Sequence, residues 1–230
     1  MKEQIMKFTG NSGKCDALSK KKDKITIVLP VFEEPEIVAK FVNSNKEILK
    51  KYPVIVIDRK GGDILKEYAS FYRKTSCPTI GWPLGSSRGF LIRRVQTKFT
   101  LNLDIDVLLP KNFLKESLKK FKDPQVAAVA LDYEKPQGHL AFGPSIWRTE
   151  ILQKLYDWRF WKTRKCECIY MWDKLHGERN KLETLNMRAK HLKSLGDFIK
   201  QRKGGFHNST WNILIRLLWG IKSKAMKHTN

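Results

Sequence analysis

The chain has 230 residues, and 45 Lys and Arg against 23 Asp and Glu give it a formal net charge of +22. Because 41% of the residues are hydrophobic, the sequence can bury a core, which excludes a wholly disordered polybasic tail. The length predicts one domain with a short appendage, or two small domains. The charge predicts attraction to polyanions such as nucleic acid, anionic lipid or phosphorylated substrates.

The cysteines and the N-terminus indicate the compartment. Four cysteines without a regular framework do not indicate a disulfide-stapled secreted domain, and they favour a reducing compartment. Residues 1–24 are polar and Lys-rich, without the apolar segment that is typical of a signal peptide. No run approaches the ~18 consecutive apolar residues of a membrane span. We therefore expect a cytoplasmic protein that is soluble or peripheral on the inner face of a membrane.

The first predicted elements are two short apolar strands on either side of a helix. Residues 25–29 form a continuous apolar run ended by Pro30, and residues 54–57 form a second run that ends at Asp58. Between them, apolar residues recur at helical spacing over 36–51. Strands buried on both faces need not alternate polar and apolar residues, so this pattern predicts a βαβ unit.

The alternation of helix and strand continues along the chain. Further helices are predicted at 64–73 and 86–98, and further strands at 78–80, 99–103 and 126–131. Such alternation is typical of an α/β sandwich around a largely parallel sheet.

The second half of the chain is helical and rich in aromatic residues. A helix is predicted at 145–156. It is followed by an aromatic cluster, namely Trp158, Phe160, Trp161, Tyr170 and Trp172. These rings either pack in the core or stack on sugar faces or lipid. A single domain over 25–200, preceded by a basic lead-in at 1–24, is the simplest account of the organisation.

The C-terminal segment, residues 201–230, combines apolar residues with positive charge. An apolar stretch with two tryptophans is followed by Lys222, Lys224 and Lys227. This composition fits an amphipathic helix at an anionic lipid surface, and it fits equally well a helix docked on the core.

Acidic residues follow two of the predicted strands at the point where each strand ends. Asp58 follows the second strand, and Asp104 and Asp106 follow the strand at 99–103. In an open parallel sheet, ligands bind beyond the carboxyl ends of the strands. Residues i and i+2 of an extended backbone point the same way, so Asp104 and Asp106 can present two carboxylates to Mg²⁺ or Mn²⁺. The alternative is a strand-end turn capped by acids.

The acids and strands occur in an order that resembles a known family. Segments at 25–34, 54–58 and 101–106 follow one another as in family 2 glycosyltransferases of the GT-A fold. Arg88-Gly89 resembles that family's Arg/Asn-Gly segment near the nucleotide. Residues 143–150 are similar to its Gly-rich acceptor-side turn and following helix, and residues 172–175 stand where it carries a Glu-Asp pair. The resemblance covers residues 24–198.

The resemblance implies a GT-A-like, Rossmann-like three-layer sandwich that moves a sugar from a nucleotide diphosphate donor to an acceptor hydroxyl, with inversion. The donor would be a UDP-, GDP- or dTDP-sugar, and the acceptor a sugar or a lipid-linked molecule. The implied nucleotide-sugar contacts are Pro30, Val31, Glu33, Asp58, Arg88, Asp104 and Ile105. Among these, Asp58 would accept a hydrogen bond from the nucleobase, and Arg88 would pair with a phosphate or with the nucleobase. Asp104 would hold the ribose or a metal-bound water.

The resemblance also implies a metal site and a general base. Mn²⁺ or Mg²⁺ would be held by Asp106 together with Asp104, and His191 lies at a suitable distance to close the site. Asp173 would take the proton of the acceptor hydroxyl, with Glu167 behind it as a second candidate.

Two departures from the family pattern leave parts of this assignment open. After Asp58, the usual Ser/Asp-rich turn is replaced by the more basic residues 59–63, so the nucleobase and the sugar of the donor are not defined. Trp172 replaces the Glu of the Glu-Asp pair, which makes Asp173 the local base candidate.

Rival interpretations remain. A nucleic-acid-binding protein would use the charge and the aromatic residues, but no zinc-finger, RNP or helix-turn-helix signature is found. A sugar-nucleotide nucleotidyltransferase would need a Gly-rich loop after the first strand, where this chain has Pro30 and the residues after it. A non-catalytic relative would keep only the fold. Zinc binding by Cys166, Cys168 and His176 lacks a fourth ligand.

Overall fold

The fold was analysed in a computed structural model, which describes residues 24–75, 83–133, 140–163, 165–178 and 180–192. The strand predicted at 78–80, nearly all of the lead-in at 1–24 and the C-terminal segment at 201–230 lie outside the described residues.

The described residues form one eight-stranded sheet with helices on both faces. The strands are β1 (Ile25–Val31), β2 (Val54–Asp58), β3 (Phe71–Lys74), β4 (Phe99–Asn102), β5 (Val107–Leu108), β6 (Val126–Tyr133), β7 (Ser145–Arg148) and β8 (Lys181–His191). The helices are α1 (Pro35–Lys51), α2 (Pro83–Ile92), α3 (Phe113–Lys120), α4 (Thr149–Leu155) and α5 (Glu167–Gly177), with a 3-10 helix at Trp158–Thr163. The order across the sheet is β3-β2-β1-β4-β7-β6-β8-β5.

Most of the sheet is parallel. The neighbours β3, β2, β1 and β4 all run in the same direction, and β8 is parallel to β6. The strand β7 is inserted antiparallel between β4 and β6. The strand β5 pairs antiparallel with β8 and is the outermost strand opposite β3. The prediction of an α/β fold with a mostly parallel central sheet is therefore confirmed.

Two apolar layers hold the helices on the sheet. On one face, the odd-numbered residues of β1 pack with Phe41 of α1 and Phe113 of α3. On the other face, Val28 of β1 packs with residues of α2, α4 and α5 such as Leu91 and Met171. All seven residues of β1 are buried, which explains why this strand is a continuous apolar run in the sequence.

Two of the predicted helices were wrong in part. Residues 64–73 form turns and then β3, because Gly62 and Asp63 adopt left-handed backbone conformations and residues 71–74 pair in parallel with β2. The helix predicted at 145–156 begins only at Thr149. Residues 145–148 form β7, whose first three residues are fully buried, and a short buried strand cannot be distinguished from a helix by periodicity alone.

Other elements differ from the prediction in extent or were not predicted. The helix α2 begins at Pro83 and ends at Ile92, so it starts earlier and stops earlier than the predicted 86–98. The strands β5 and β8 and the helix α3 had no counterpart in the prediction. The strand β8 contains charged residues throughout, because one of its edges pairs only with the two residues of β5.

Two members of the aromatic cluster belong to the core, whereas Tyr170 is partly buried and packs against the core. Phe160 and Trp172 are buried, and the Trp172 ring stacks on Trp147 with centroids 5.3 Å apart. Within the described residues, no helix is long and apolar enough to cross a membrane.

Candidate active site

The predicted acidic residues lie on the side of the sheet that is formed by the carboxyl ends of its parallel strands, which we call the sheet edge. The strands β2, β1 and β4 are parallel neighbours, with Asp58 opposite Val31 and Asn102 opposite Val28. Asp58 ends β2, and Asp104 follows β4 by two residues. Both acids therefore lie at the carboxyl ends of the parallel strands that flank β1, where ligands bind in open α/β sheets.

Asp58 holds the loop that follows β2. Its Oδ1 accepts a hydrogen bond of 2.6 Å from the Gly61 backbone N–H, and its Oδ2 accepts one of 2.7 Å from the Tyr72 hydroxyl. Burial, with Asp63 and Asp58 as neighbours, raises the pKa of Tyr72 well above its usual range. A Cβ on Gly61 would lie 2.8 Å from Val31 Cγ1, so glycine is needed here. Asp58 is only 1% exposed, and its contact with a nucleobase stays a prediction.

Arg88 lies at the centre of a buried group of polar side chains. The Nη1 atom donates to Asn102 Oδ1 at 2.5 Å, and Nη2 donates to Asp104 Oδ1 at 2.8 Å. The Nε atom is 3.0 Å from Glu167 Oε1 in an ion pair without a hydrogen bond. The Tyr156 hydroxyl in turn donates to Glu167. We call Arg88, Asn102, Asp104, Tyr156 and Glu167 the Arg88 cluster.

Burial determines the electrostatics of the Arg88 cluster. Arg88 is 1% exposed, so a bound ligand does not reach its guanidinium in this conformation. Burial raises the pKa of Glu167 to about 7, although the positive charge of Arg88 and the Tyr156 hydroxyl act in the opposite direction. Burial also raises the pKa of Tyr156 well above its ordinary value.

The loop at 140–144 and the first residue of β7 contact the Arg88 cluster. Asn102 Nδ2 and Ser145 Oγ both donate to the Phe142 carbonyl oxygen, at 2.6 and 2.7 Å. These bonds bring the backbone of Gly143 directly onto the Asp104 carboxylate, and a Cβ on Gly143 would lie 1.9 Å from Asp104 Oδ2. Asp104 is thus held between Arg88 on one side and the Gly143 backbone on the other.

We expect Gly143→Ala to destabilise the protein by about 2 kcal/mol, because the new methyl group displaces Asp104. The matched control is Gly177→Ala, because Gly177 ends α5 and the added Cβ would meet no atom within 4 Å apart from the adjacent residues and the backbone of its own helix. This control should be neutral or slightly stabilising, since alanine favours helices. Urea unfolding of both variants provides the measurement. Equal midpoints for the two variants would contradict the close approach at Asp104.

Asp106 and His191 form a second pair at this edge. The antiparallel pairing of β5 with β8 sets Val107 opposite His191, and the Leu192 N–H donates to the Asp106 carbonyl at 2.7 Å. The His191 Nε2 atom lies 3.0 Å from Asp106 Oδ2, with the two side chains 14% and 12% exposed. A carboxylate and an imidazole fit Mn²⁺, which commonly completes its shell with water and substrate phosphate. No group of three or more His, Cys, Asp or Glu suited to a metal occurs among the described residues.

The remaining predicted site residues are placed differently. Pro30, Val31 and Ile105 are buried, whereas Glu33 is half-buried. Asp173 lies on the outer face of α5 with 53% of its side chain exposed, and it accepts a hydrogen bond of 2.6 Å from Lys165. The structure joins Arg88 to Asp104 and Asp106 to His191, but Asp173 belongs to neither pair.

Several residues of the site were not found from the sequence. Asn102 and Tyr156 belong to the Arg88 cluster, and Tyr72 binds Asp58. A polar Asn within the predicted strand at 99–103 was a usable signal for Asn102, but nothing local marks the two tyrosines. Cys166, one of the residues considered for zinc binding, has a structural role, because its Sγ atom caps α5 by accepting from the Ile169 N–H.

A comparison with models of protein families shows the family to which the chain belongs. The family model "Glycosyl transferase family 2" matches residues 26–182, which include β1 from its second residue, the acids at the strand ends and α5. The chain belongs to glycosyl transferase family 2. The suspected family is thereby confirmed, and the chain is a nucleotide-sugar-dependent glycosyltransferase of the GT-A fold. No curated protein matches the chain significantly.

Solved structures share the fold of this glycosyltransferase at low identity. A mannosyltransferase from Pyrobaculum calidifontis in complex with GDP-Man and Mn²⁺ is 12% identical, with a TM-score of 0.61 over 92% of this chain and 77% of its own. Glucosyl-3-phosphoglycerate synthase from Mycobacterium tuberculosis, with Mn²⁺ and UDP-glucose, is 13% identical, with a TM-score of 0.55 over 77% and 74%.

A third solved structure, 4-diphosphocytidyl-2C-methyl-D-erythritol synthase from Anaerococcus prevotii, is 10% identical, with a TM-score of 0.52 over 79% and 95%. Because this structure does not carry a glycosyltransferase name, the fold alone does not decide the activity of a chain. For this glycosyltransferase, the match to the family is what decides it.

Proposed function

We propose that the protein transfers a sugar from a nucleotide diphosphate donor to an acceptor hydroxyl in a reaction that depends on Mn²⁺ or Mg²⁺ and inverts the anomeric carbon. The observation that carries this proposal is the pair of contacts at one sheet edge, between Arg88 and Asp104 and between Asp106 and His191. It is supported by the two solved neighbours described with Mn²⁺ and GDP-Man or UDP-glucose.

Each residue at the edge has a proposed task in donor binding. Asp106 and His191 hold the cation, which supplies positive charge against the leaving nucleoside diphosphate. Asp104, oriented by Arg88, binds the ribose or a water of the cation. Asp58 accepts a hydrogen bond from the nucleobase after a shift of the loop it now holds. The backbone of Pro30, Val31 and Ile105, together with Glu33, forms the floor of the nucleotide site.

Asp173 is the proposed general base. The alternative, Glu167, is 8% exposed and is occupied by Tyr156 and Arg88, so it has less access to an acceptor. Asp173 instead lines an open cavity of about 380 Å³ together with Lys165 and Tyr170. A cavity of this kind can admit an acceptor hydroxyl, whose proton a solvated carboxylate can accept.

The nature of the acceptor is proposed from the sequence. The basic and apolar C-terminal segment at 201–230 supports an acceptor at an anionic membrane surface, where a lipid-linked sugar would be presented. This arrangement would make the protein peripheral on the membrane. The same charge would also attract nucleic acid, which is the second class of polyanion to test.

The test is a thermal-shift screen of UDP-, GDP- and dTDP-sugars with and without Mn²⁺. We expect one donor class to raise the melting temperature only with Mn²⁺, because ligand binding stabilises the folded state. Asp106→Ala should abolish this shift. The matched control is Asp123→Ala, which removes an exposed acid that pairs with Lys181 and should leave the shift unchanged. A protein stabilised by oligonucleotides but by no sugar nucleotide would contradict the proposal.

A further inference from the structure

Glu167 connects three helices beneath the candidate site. It is the first residue of α5, and its buried carboxylate receives the hydrogen bond of Tyr156, which follows α4. The same Tyr156 oxygen lies 3.0 Å from the Gly85 carbonyl of α2, and Glu167 Oε1 lies 3.0 Å from Arg88 Nε of the same helix. The position of Arg88 therefore depends on groups from α4 and α5.

Contacts on two sides determine the orientation of the Arg88 guanidinium. Asn102 and Asp104 accept from its two Nη atoms, whereas Glu167 faces Nε. Rotation of the planar guanidinium would break the two hydrogen bonds of the Nη atoms and would move Nε away from the Glu167 carboxylate. Removing the Glu167 side chain would open a space beside Nε and would leave the other two bonds to hold the plane alone.

The orientation of Asp104 depends on the same contacts. Its Oδ1 accepts from Arg88, and its Oδ2 faces the Gly143 backbone. Because Arg88 is buried, its influence on a bound donor passes through Asp104 rather than through direct contact. A chain of contacts thus leads from Glu167 through Arg88 to the carboxylate at the sheet edge.

We propose that Glu167 is a positioning residue, which fixes Arg88 and through it orients Asp104 toward the donor nucleotide. This inference rests on the proposed function, since it assigns to Glu167 a part in donor binding. It gives Glu167 no contact with the substrate and no proton transfer. Tyr156 supports Glu167 from the opposite side by its hydrogen bond.

A double-mutant cycle with Asp104 tests the proposal. The dissociation constants of UDP, GDP and dTDP with Mn²⁺ are measured for the wild type, Glu167→Ala, Asp104→Asn and the double variant. If Glu167 acts through Asp104, Glu167→Ala raises the dissociation constant about tenfold in the wild-type background and less than about twofold in the Asp104→Asn background. A purely structural role would not produce this dependence on Asp104.

Two further variants complete the experiment. Glu178→Gln, at the other end of α5, removes an exposed acid paired with Lys154 and should leave nucleotide binding unchanged. If Glu167→Ala does not fold, Glu167→Gln replaces it in the cycle, with an expected loss of about threefold that again disappears in the Asp104→Asn background.

The outcomes separate this inference from the proposed function. Equal losses in both backgrounds, or no loss in either, overturn the role of Glu167 while the proposed function stands. A wild-type protein that binds none of the three nucleotides overturns the proposed function, and the inference with it.

Discussion

Replacing Arg88 with Met is expected to lower the free energy of unfolding by about 3 kcal/mol, because two carboxylates then lose their buried cationic partner. Asp104 and Glu167 both lie within 3.0 Å of the Arg88 guanidinium, and only Asp104 is in part exposed to water. Glu167 can reduce this loss of stability by taking up a proton. The decrease in the free energy of unfolding should therefore be larger at pH 8 than at pH 5.

A second substitution and a surface control make this result specific. In the Arg88→Met background, Glu167→Gln should recover part of the lost stability at pH 8, since it removes one of the unpaired acids. Arg159→Met is the control, because Arg159 is 58% exposed and its pair with Asp157 should contribute less than about 1 kcal/mol. Urea unfolding at both pH values gives the comparison. Similar losses for the two arginines would contradict the central place of Arg88.

The stability of the protein should depend on the titration of Glu167. Burial raises the pKa of this side chain from 4.5 to about 7, and the groups that face it are Arg88, Tyr156, Cys168 and Asp104. As the pH rises from 4.5 to 7, the unfolded chain loses this proton while the folded protein keeps it. The contribution to stability is therefore fully present below pH 4.5 and is lost as the pH rises through 7.

The expected size of this loss is about 3 kcal/mol between pH 4.5 and pH 8, from a shift of about 2.5 pH units. Glu167→Gln removes the titrating group, so the difference in unfolding free energy between wild type and variant should change by this amount over the range. Glu178→Gln is the control, because Lys154 lowers the pKa of Glu178 and its titration lies below the range. A constant difference between wild type and Glu167→Gln would show that burial does not shift Glu167.

The local pattern of the sequence was sufficient to predict the central strands of the sheet. The apolar runs in β1 and β2 are recognisable because strands buried on both faces admit mostly apolar residues, and β4 alternates Phe99 and Leu101 with polar residues. It was not sufficient for β3 and β7. The half-exposed β3 is a strand because its backbone pairs with β2. The strand β7 forms because its backbone pairs with β4 on one side and with β6 on the other. Such pairing energies come from residues distant in the chain.

The candidate site divides in the same way. The acids at the strand ends led from the sequence to Asp58, Asp104 and Asp106, and the family resemblance implied His191. The pairing of β5 with β8 brings His191 within 3.0 Å of Asp106. Asp173 was chosen over Glu167 by its place in the sequence. The structure instead buries Glu167 against Arg88 and leaves Asp173 with Lys165 at the surface.

The sequence by itself therefore determined the α/β class, the family and the edge of the sheet at which the acids gather, because these follow from residue type and from the order of short segments. Only the tertiary structure decided which polar side chains are buried together. Arg88, Asn102, Tyr156 and Glu167 come from α2, β4, the end of α4 and α5, and no local pattern links them. Their contacts exist because a buried charge needs partners, and the packing of α2, α4 and α5 on the sheet determines which partners are within reach.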